Sequence, residues 1–89
     1  MIALPPAPIH REVIGHSVRG RPIRVVAVGD RNAPTKVLVV GCVHGNEGAG
    51  IPIALRLERM RPPKGVQFWI VPDLNPDGHA AGRTPTESI

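Results

Sequence analysis

The stretch that most constrains this chain is Lys36-Val37-Leu38-Val39-Val40-Gly41-Cys42-Val43. Behind one lysine it is almost continuously apolar, with no period-two alternation. A strand with one wet face would alternate, so this pattern predicts a strand buried on both faces, as in an α/β sheet. A Gly-rich loop follows. Ile53, Leu57 and Met60 then recur at helical spacing, which predicts a helix over about Gly50 to Met60 with those three on its packed face. Pro52 is compatible only with the first turn, where its missing N–H has no intrahelical role. Arg61-Pro62-Pro63-Lys64-Gly65 ends the helix. Val66 to Val71 reads as a second central strand. Strand, helix and strand in this order imply a right-handed crossover and a parallel pair.

Upstream, Arg11 to Val18 and Ile23 to Val28 are strand candidates rich in β-branched residues. Arg19-Gly20-Arg21-Pro22 supplies turn chemistry between them, so a hairpin precedes the crossover. Met1 to Pro8 reads as an extended, Pro-rich lead-in without the basic and apolar regions of a signal peptide. After Val71 the periodicity stops, and Pro72, Asn75-Pro76 and Asp77-Gly78 mark successive turns. The expected fold class is α/β: an N-terminal β-hairpin plus a βαβ unit of a mixed sheet.

Composition narrows the function classes. Eighty-nine residues hold one small domain, not two. The single Cys excludes an internal disulfide and a multi-Cys zinc site, and it agrees with an expected cytoplasmic location. One Trp, one Phe and no Tyr argue against an RNA-binding sheet of stacking aromatics. The net charge of +4 is not clustered. Arg11, Arg19, Arg21, Arg24 and Arg31 are scattered, and Arg56, Arg59 and Arg61 sit at a helix end where cations suit the macrodipole. No nucleic-acid partner is therefore expected. No apolar run approaches the ~20 residues of a membrane span, so no membrane partner is expected either.

In α/β sheets, sites gather at the carboxyl ends of the parallel strands. Two loops qualify here. The first is Gly41-Cys42-Val43-His44-Gly45-Asn46-Glu47-Gly48-Ala49-Gly50. His44 and Glu47 are three residues apart on a turn leaving a strand, and an imidazole and a carboxylate so spaced can converge on one zinc ion. The bland alternative is a hydrogen-bonded loop histidine, with Glu47 capping the next helix. A phosphate loop fails because no Gly-Lys-Ser/Thr closes it, and the glycines do not make G-x-G-x-x-G. Cys42 inside the apolar run reads as packing rather than as a nucleophile. The second loop is Val71-Pro72-Asp73-Leu74-Asn75-Pro76-Asp77-Gly78-His79. By itself it is a double turn with Asx-type bonds. Its functional reading is a cleft wall of Asn75, Asp77 and Gly78, with His79 a third ligand by residue type alone.

Together the two loops, preceded by Gly15-His16-Ser17-Val18-Arg19-Gly20-Arg21-Pro22-Ile23, resemble the M14 family of zinc metallocarboxypeptidases. The upstream stretch looks like that family's G-x-S-x-x-G-R-x-I hairpin. The short Ala/Gly-rich stretch His79-Ala80-Ala81-Gly82 resembles the murein peptide amidase branch. The three motifs occur in family order from Ile14 to about Arg83. The resemblance implies an α/β/α zinc-peptidase domain. It also implies a Zn2+ cofactor and a peptide or amide substrate with a free carboxylate. His44 and Glu47 match the first two zinc ligands. Arg83 stands near the position of the oxyanion arginine.

The chain also departs from the family. The Asn-Arg pair that holds the substrate carboxylate, the third ligand (a second His) and the general-base Glu have no counterpart in these residues. The resulting expectation is a lead-in over residues 1–8 and a partial peptidase-like domain over residues 9–89. That domain is expected to be truncated at its C-terminus, inactive in isolation, and to expose an apolar edge. Two other functions stay open: a zinc acyl-amino-acid deacylase (aspartoacylase or succinylglutamate desuccinylase-like), whose ligand loop also reads His-Gly-Asn-Glu, and a non-catalytic binding module.

Overall fold

The computed structural model of the chain describes residues 7–82. The hairpin forms first, from β1 (Ile9–His16) and β2 (Pro22–Val28). Ile9 stands opposite Val28 and His16 opposite Pro22, with a register shift between Val13 and Gly15. Thereafter come β3 (Thr35–Val40), α1 (Gly50–Glu58), β4 (Val66–Val71) and α2 (Pro76–Ala81). The sheet order is β1-β2-β4-β3. β2 and β4 run antiparallel, with Val26 opposite Ile70. β3 and β4 run parallel, from Thr35 opposite Val66 to Val40 opposite Val71. The mixed α/β architecture expected from the sequence is present.

Alternation along the two central strands divides the core between the sheet faces. On one face Val26, Val28 and Ile70 pack with Ala54 of α1, and Leu57, Phe68 and Val39 lie against them. On the other, Ile23, Val25 and Val71 pack with Trp69 and Leu74. Ile70, fully buried, is the largest of the fully buried side chains.

Four expectations need correction. β1 spans Ile9–His16 rather than Arg11 to Val18, because Ser17 N–H bonds the Arg21 carbonyl and Gly20 N–H the Ser17 carbonyl, which puts Ser17 and Val18 in the turn. β3 ends at Val40, and it is not buried on both faces: Leu38 is 67% exposed, and Val37 and Val40 are exposed too. The reason is topological. β4 takes the place between β2 and β3, so among the described residues β3 pairs on one side only. The apolar edge expected from the sequence is there. The packed face of α1 is also not Ile53-Leu57-Met60: Ile53 and Met60 are exposed, while Ala54 is buried and Leu57 half-buried. The small Ala54 side chain lets the helix lie close on the sheet, and Ile53, one residue earlier, is turned about 100° away. Pro52 does fall in the first turn. Lastly, the stretch read as successive turns contains α2, capped by the Asn75 side chain and closed by Gly82 in the left-handed conformation.

Candidate metal-binding loop

The two loops at the ends of β3 and β4 are laced together by backbone bonds that prolong the parallel ladder. Gly41 N–H donates to the Val71 carbonyl at 2.8 Å, Leu74 N–H to Gly41 at 3.0 Å, and Asn75 N–H to Cys42 at 3.1 Å. The loops approach so closely that a Cβ on Gly41 would lie 2.5 Å from the Pro72 carbonyl oxygen. Only glycine fits there. Cys42 follows with φ 52°, a left-handed conformation that costs a non-glycine residue about 1–3 kcal/mol. The chain thereby turns out of the β3 direction before His44.

His44 and Glu47 meet on that turn. The Nδ1 atom of His44 lies 2.5 Å from Oε1 of Glu47. Both side chains are about half exposed, at 45% and 51%. Glu47 does not cap α1: the N-cap is Ala49, which makes no side-chain bond to the helix start. Glu47 N–H donates to the His44 carbonyl at 2.9 Å, which closes the turn and sets the two side chains together. The donor set fits zinc in kind, with one imidazole nitrogen and one carboxylate oxygen on a solvent-facing loop. Among the described residues no third donor joins this pair.

His79 goes elsewhere. Its Nδ1 bonds Asp73 Oδ2 at 3.1 Å, and its Nε2 stands 3.3 Å from where a Cβ on Gly48 would be. It therefore lies against the first loop without joining the His44–Glu47 pair. Cys42, Asp73 and His79 instead bring their donor atoms within 4.8 Å of one another. Burial pushes the Cys42 thiol up to about 11, and the Asp73 carboxylate beside it adds to the shift. A thiol so protonated at neutral pH is no nucleophile.

Asn75, Asp77 and Gly78 are buried, and the polar side chains of Asn75 and Asp77 are spent on protein partners. Asn75 accepts from Gly78 N–H at 2.9 Å and donates through Nδ2 to the Val43 carbonyl at 3.1 Å. It thus caps α2 and braces the residue before His44. A Cβ on Gly78 would sit 2.5 Å from Asn75 Nδ2. Asp77 accepts from Ser17 Oγ at 2.7 Å, from Arg21 Nη1 at 2.8 Å and from Arg19 N–H at 3.0 Å. Burial alone would raise this carboxyl, but the Ser17, Arg21 and Arg19 donors outweigh it and hold Asp77 below the usual carboxylate range. Ser17 also accepts from Arg21 N–H at 3.0 Å. These residues are braces under the loops. Sequence reasoning missed this node, because nothing local pairs positions 17 and 77. Arg83 lies outside the described residues.

The family model for zinc carboxypeptidases matches residues 3–60, which include the hairpin, β3, both candidate ligands and α1. The chain belongs to this zinc carboxypeptidase family. Solved structures agree in fold. A metallo-carboxypeptidase from Burkholderia cenocepacia is 27% identical with a TM-score of 0.63, over 94% of this chain and 26% of that one. The carboxypeptidase A of Helicoverpa armigera is 21% identical with a TM-score of 0.68, over 84% of this chain and 22% of that one. An aspartoacylase family protein from Mesorhizobium loti is 24% identical with a TM-score of 0.63, over 93% of this chain and 27% of that one. At the last two identities the likeness is one of fold alone. The chain spans about a quarter of the length of the solved structures it matches. No curated protein matches the chain.

Proposed function

We propose that this carboxypeptidase-family chain carries the zinc-binding loop of a hydrolase that cuts a peptide or amide bond beside a free carboxylate. The observation that carries the reading is the convergence of His44 Nδ1 and Glu47 Oε1 on one solvent-facing point, at the carboxyl end of a parallel strand pair. In this role His44 and Glu47 hold the ion. Asn75 holds the Val43 carbonyl just before His44, and Asp77 fixes α2 against the hairpin turn. Bound there, zinc would supply a Lewis acid and a water of lowered pKa. Two donors make a weak site, and a third ligand and a general base are required for turnover. The 89-residue chain by itself is therefore expected to be inactive.

The test is zinc binding followed by calorimetry. His44→Ala and Glu47→Ala should each weaken the zinc isotherm of this pair by about tenfold or more. The measurement is made in a Cys42→Ser background, so that the thiol contributes no binding, and equal binding there with and without His44 and Glu47 would remove the inherited metal chemistry. Turnover of a peptide substrate by the chain alone would overturn the expected inactivity. The aspartoacylase-family neighbour shares the fold, and the His44-Gly45-Asn46-Glu47 loop, which resembles that of the acyl-amino-acid deacylases, keeps an N-acyl amino acid as the competing substrate class. The Asn75-Pro76-Asp77-Gly78 stretch resembles the peptidase side.

A further inference from the structure

Cys42, Asp73 and His79 come from three different places: the loop after β3, the loop after β4, and helix α2. Their sulfur, carboxylate oxygen and imidazole nitrogen nonetheless lie within 4.8 Å of one another. On a tetrahedral ion with bonds of 2.0–2.3 Å, donor atoms stand about 3.5 Å apart, so side-chain rotation suffices to close the set. The backbone beneath it is already fixed. Leu74 N–H and Asn75 N–H bond the carbonyls of Gly41 and Cys42, and Asn75 Nδ2 bonds Val43. The sulfur is buried, whereas His79 is 45% exposed and Asp73 25% exposed, so the set opens to solvent on one side.

We propose that Cys42, Asp73 and His79 form a second metal site, distinct from the His44–Glu47 pair, that takes a borderline divalent cation such as Zn2+ or Co2+. The donor types select the ion. A thiolate and an imidazole suit zinc and cobalt, whereas magnesium and calcium want oxygen donors throughout. Three protein ligands leave one position open to water. Binding forms the metal–sulfur bond and breaks the S–H bond, and the proton leaves to the solvent. The site stands independently of the hydrolase reading, because it uses neither His44 nor Glu47.

Cobalt provides the test. Thiolate-bound Co2+ gives a charge-transfer band in the near ultraviolet, and this chain has a single cysteine, so any such band reports Cys42. Titrating the 89-residue chain with Co2+ should raise the band to saturation at one ion per thiol. The band should persist in a His44→Ala/Glu47→Ala double variant and vanish in Cys42→Ser. In Asp73→Asn and His79→Ala half-saturation should need about tenfold more cobalt. Native circular dichroism is the fold control for each variant, and the wild-type band stands without any of them. No band in the folded wild type would overturn the site. So would a band lost in the folded double variant, which would give the thiol to the His44–Glu47 pair. A band indifferent to both Asp73→Asn and His79→Ala would overturn it as well.

Discussion

Asp77 and Glu47 are both carboxylates in short motifs near the carboxyl ends of neighbouring parallel strands, and the fold handles them in opposite ways. Asp77 is buried and accepts from Ser17, Arg21 and Arg19. Glu47 is half exposed, and among the described residues its side chain pairs with His44. A buried carboxylate that spends three of its roughly four acceptor sites on fixed donors has little left for a ligand. One that faces solvent beside an imidazole can exchange its partner for a metal. Burial therefore separates Asp77, a brace, from Glu47, the carboxylate proposed to hold a metal, although the sequence presents them alike.

The largest effect should come from breaking the brace. Asp77→Ala takes the acceptor from the buried Ser17 hydroxyl, the half-exposed Arg21 guanidinium and the Arg19 N–H, which costs three bonds at once, and an unpaired buried hydroxyl is costly. It should lower the thermal midpoint by circular dichroism more than any other change discussed here. A wild-type midpoint would sink the assignment of Asp77 as a brace. Asn75→Ala comes next. It removes the α2 cap and the bond to Val43, a loss of roughly 2 kcal/mol. In urea titrations the midpoint should fall with the slope unchanged. The same variant should weaken zinc binding indirectly, through the Val43 carbonyl that precedes His44.

Acid should act on the brace more gently, because protonation leaves the Asp77 side chain in place. Its carboxyl titrates lower in the folded chain than in the unfolded one. The unfolded state then binds more protons as pH falls, so stability drops with it. The contribution is fully present above the unfolded value of about 3.9, and it is lost as pH falls through the lower folded value. Stability measured between about pH 6 and pH 2 should decline in wild type. It should decline less steeply in Asp77→Asn, where this group no longer titrates. Parallel curves for the two proteins would show that other carboxyls carry the acid sensitivity.

The difference between brace and chemistry also explains what the sequence disclosed. The existence and order of the four strands, the crossover order and the first-turn place of Pro52 follow from local pattern and appear in the fold, although β1 lies two residues earlier than the pattern placed it and β3 ends three residues sooner. The His44–Glu47 contact is local too, three residues apart on one turn. What escaped were consequences of tertiary placement. The rotation of α1 onto Ala54 rather than Ile53 depends on how closely the helix meets β2 and β4. The exposure of β3 depends on which strand takes the inner position. The Ser17–Asp77 bond joins residues sixty apart. α2 is the exception, since Asn75 as cap and Pro76 at the first helical position were readable start signals. The Asp77-Gly78 pair, read as a turn, masked them.

The smallest effect on stability should be the most informative about function. His44→Ala and Glu47→Ala remove an exposed pair three residues apart, and pairs of that kind contribute about 0.2–0.5 kcal/mol. Neither side chain caps a helix or belongs to the core clusters. Each variant should therefore unfold within about 0.5 kcal/mol of wild type in urea while losing the zinc affinity of the pair. Asp77→Ala should show a steep loss of fold instead. If His44→Ala unfolds as readily as Asp77→Ala, the turn is itself a brace, and its short contact serves structure rather than a ligand. If the fold is kept and zinc affinity falls, the carboxylate at position 47 and the one at position 77 have the two different roles that their burial assigns them.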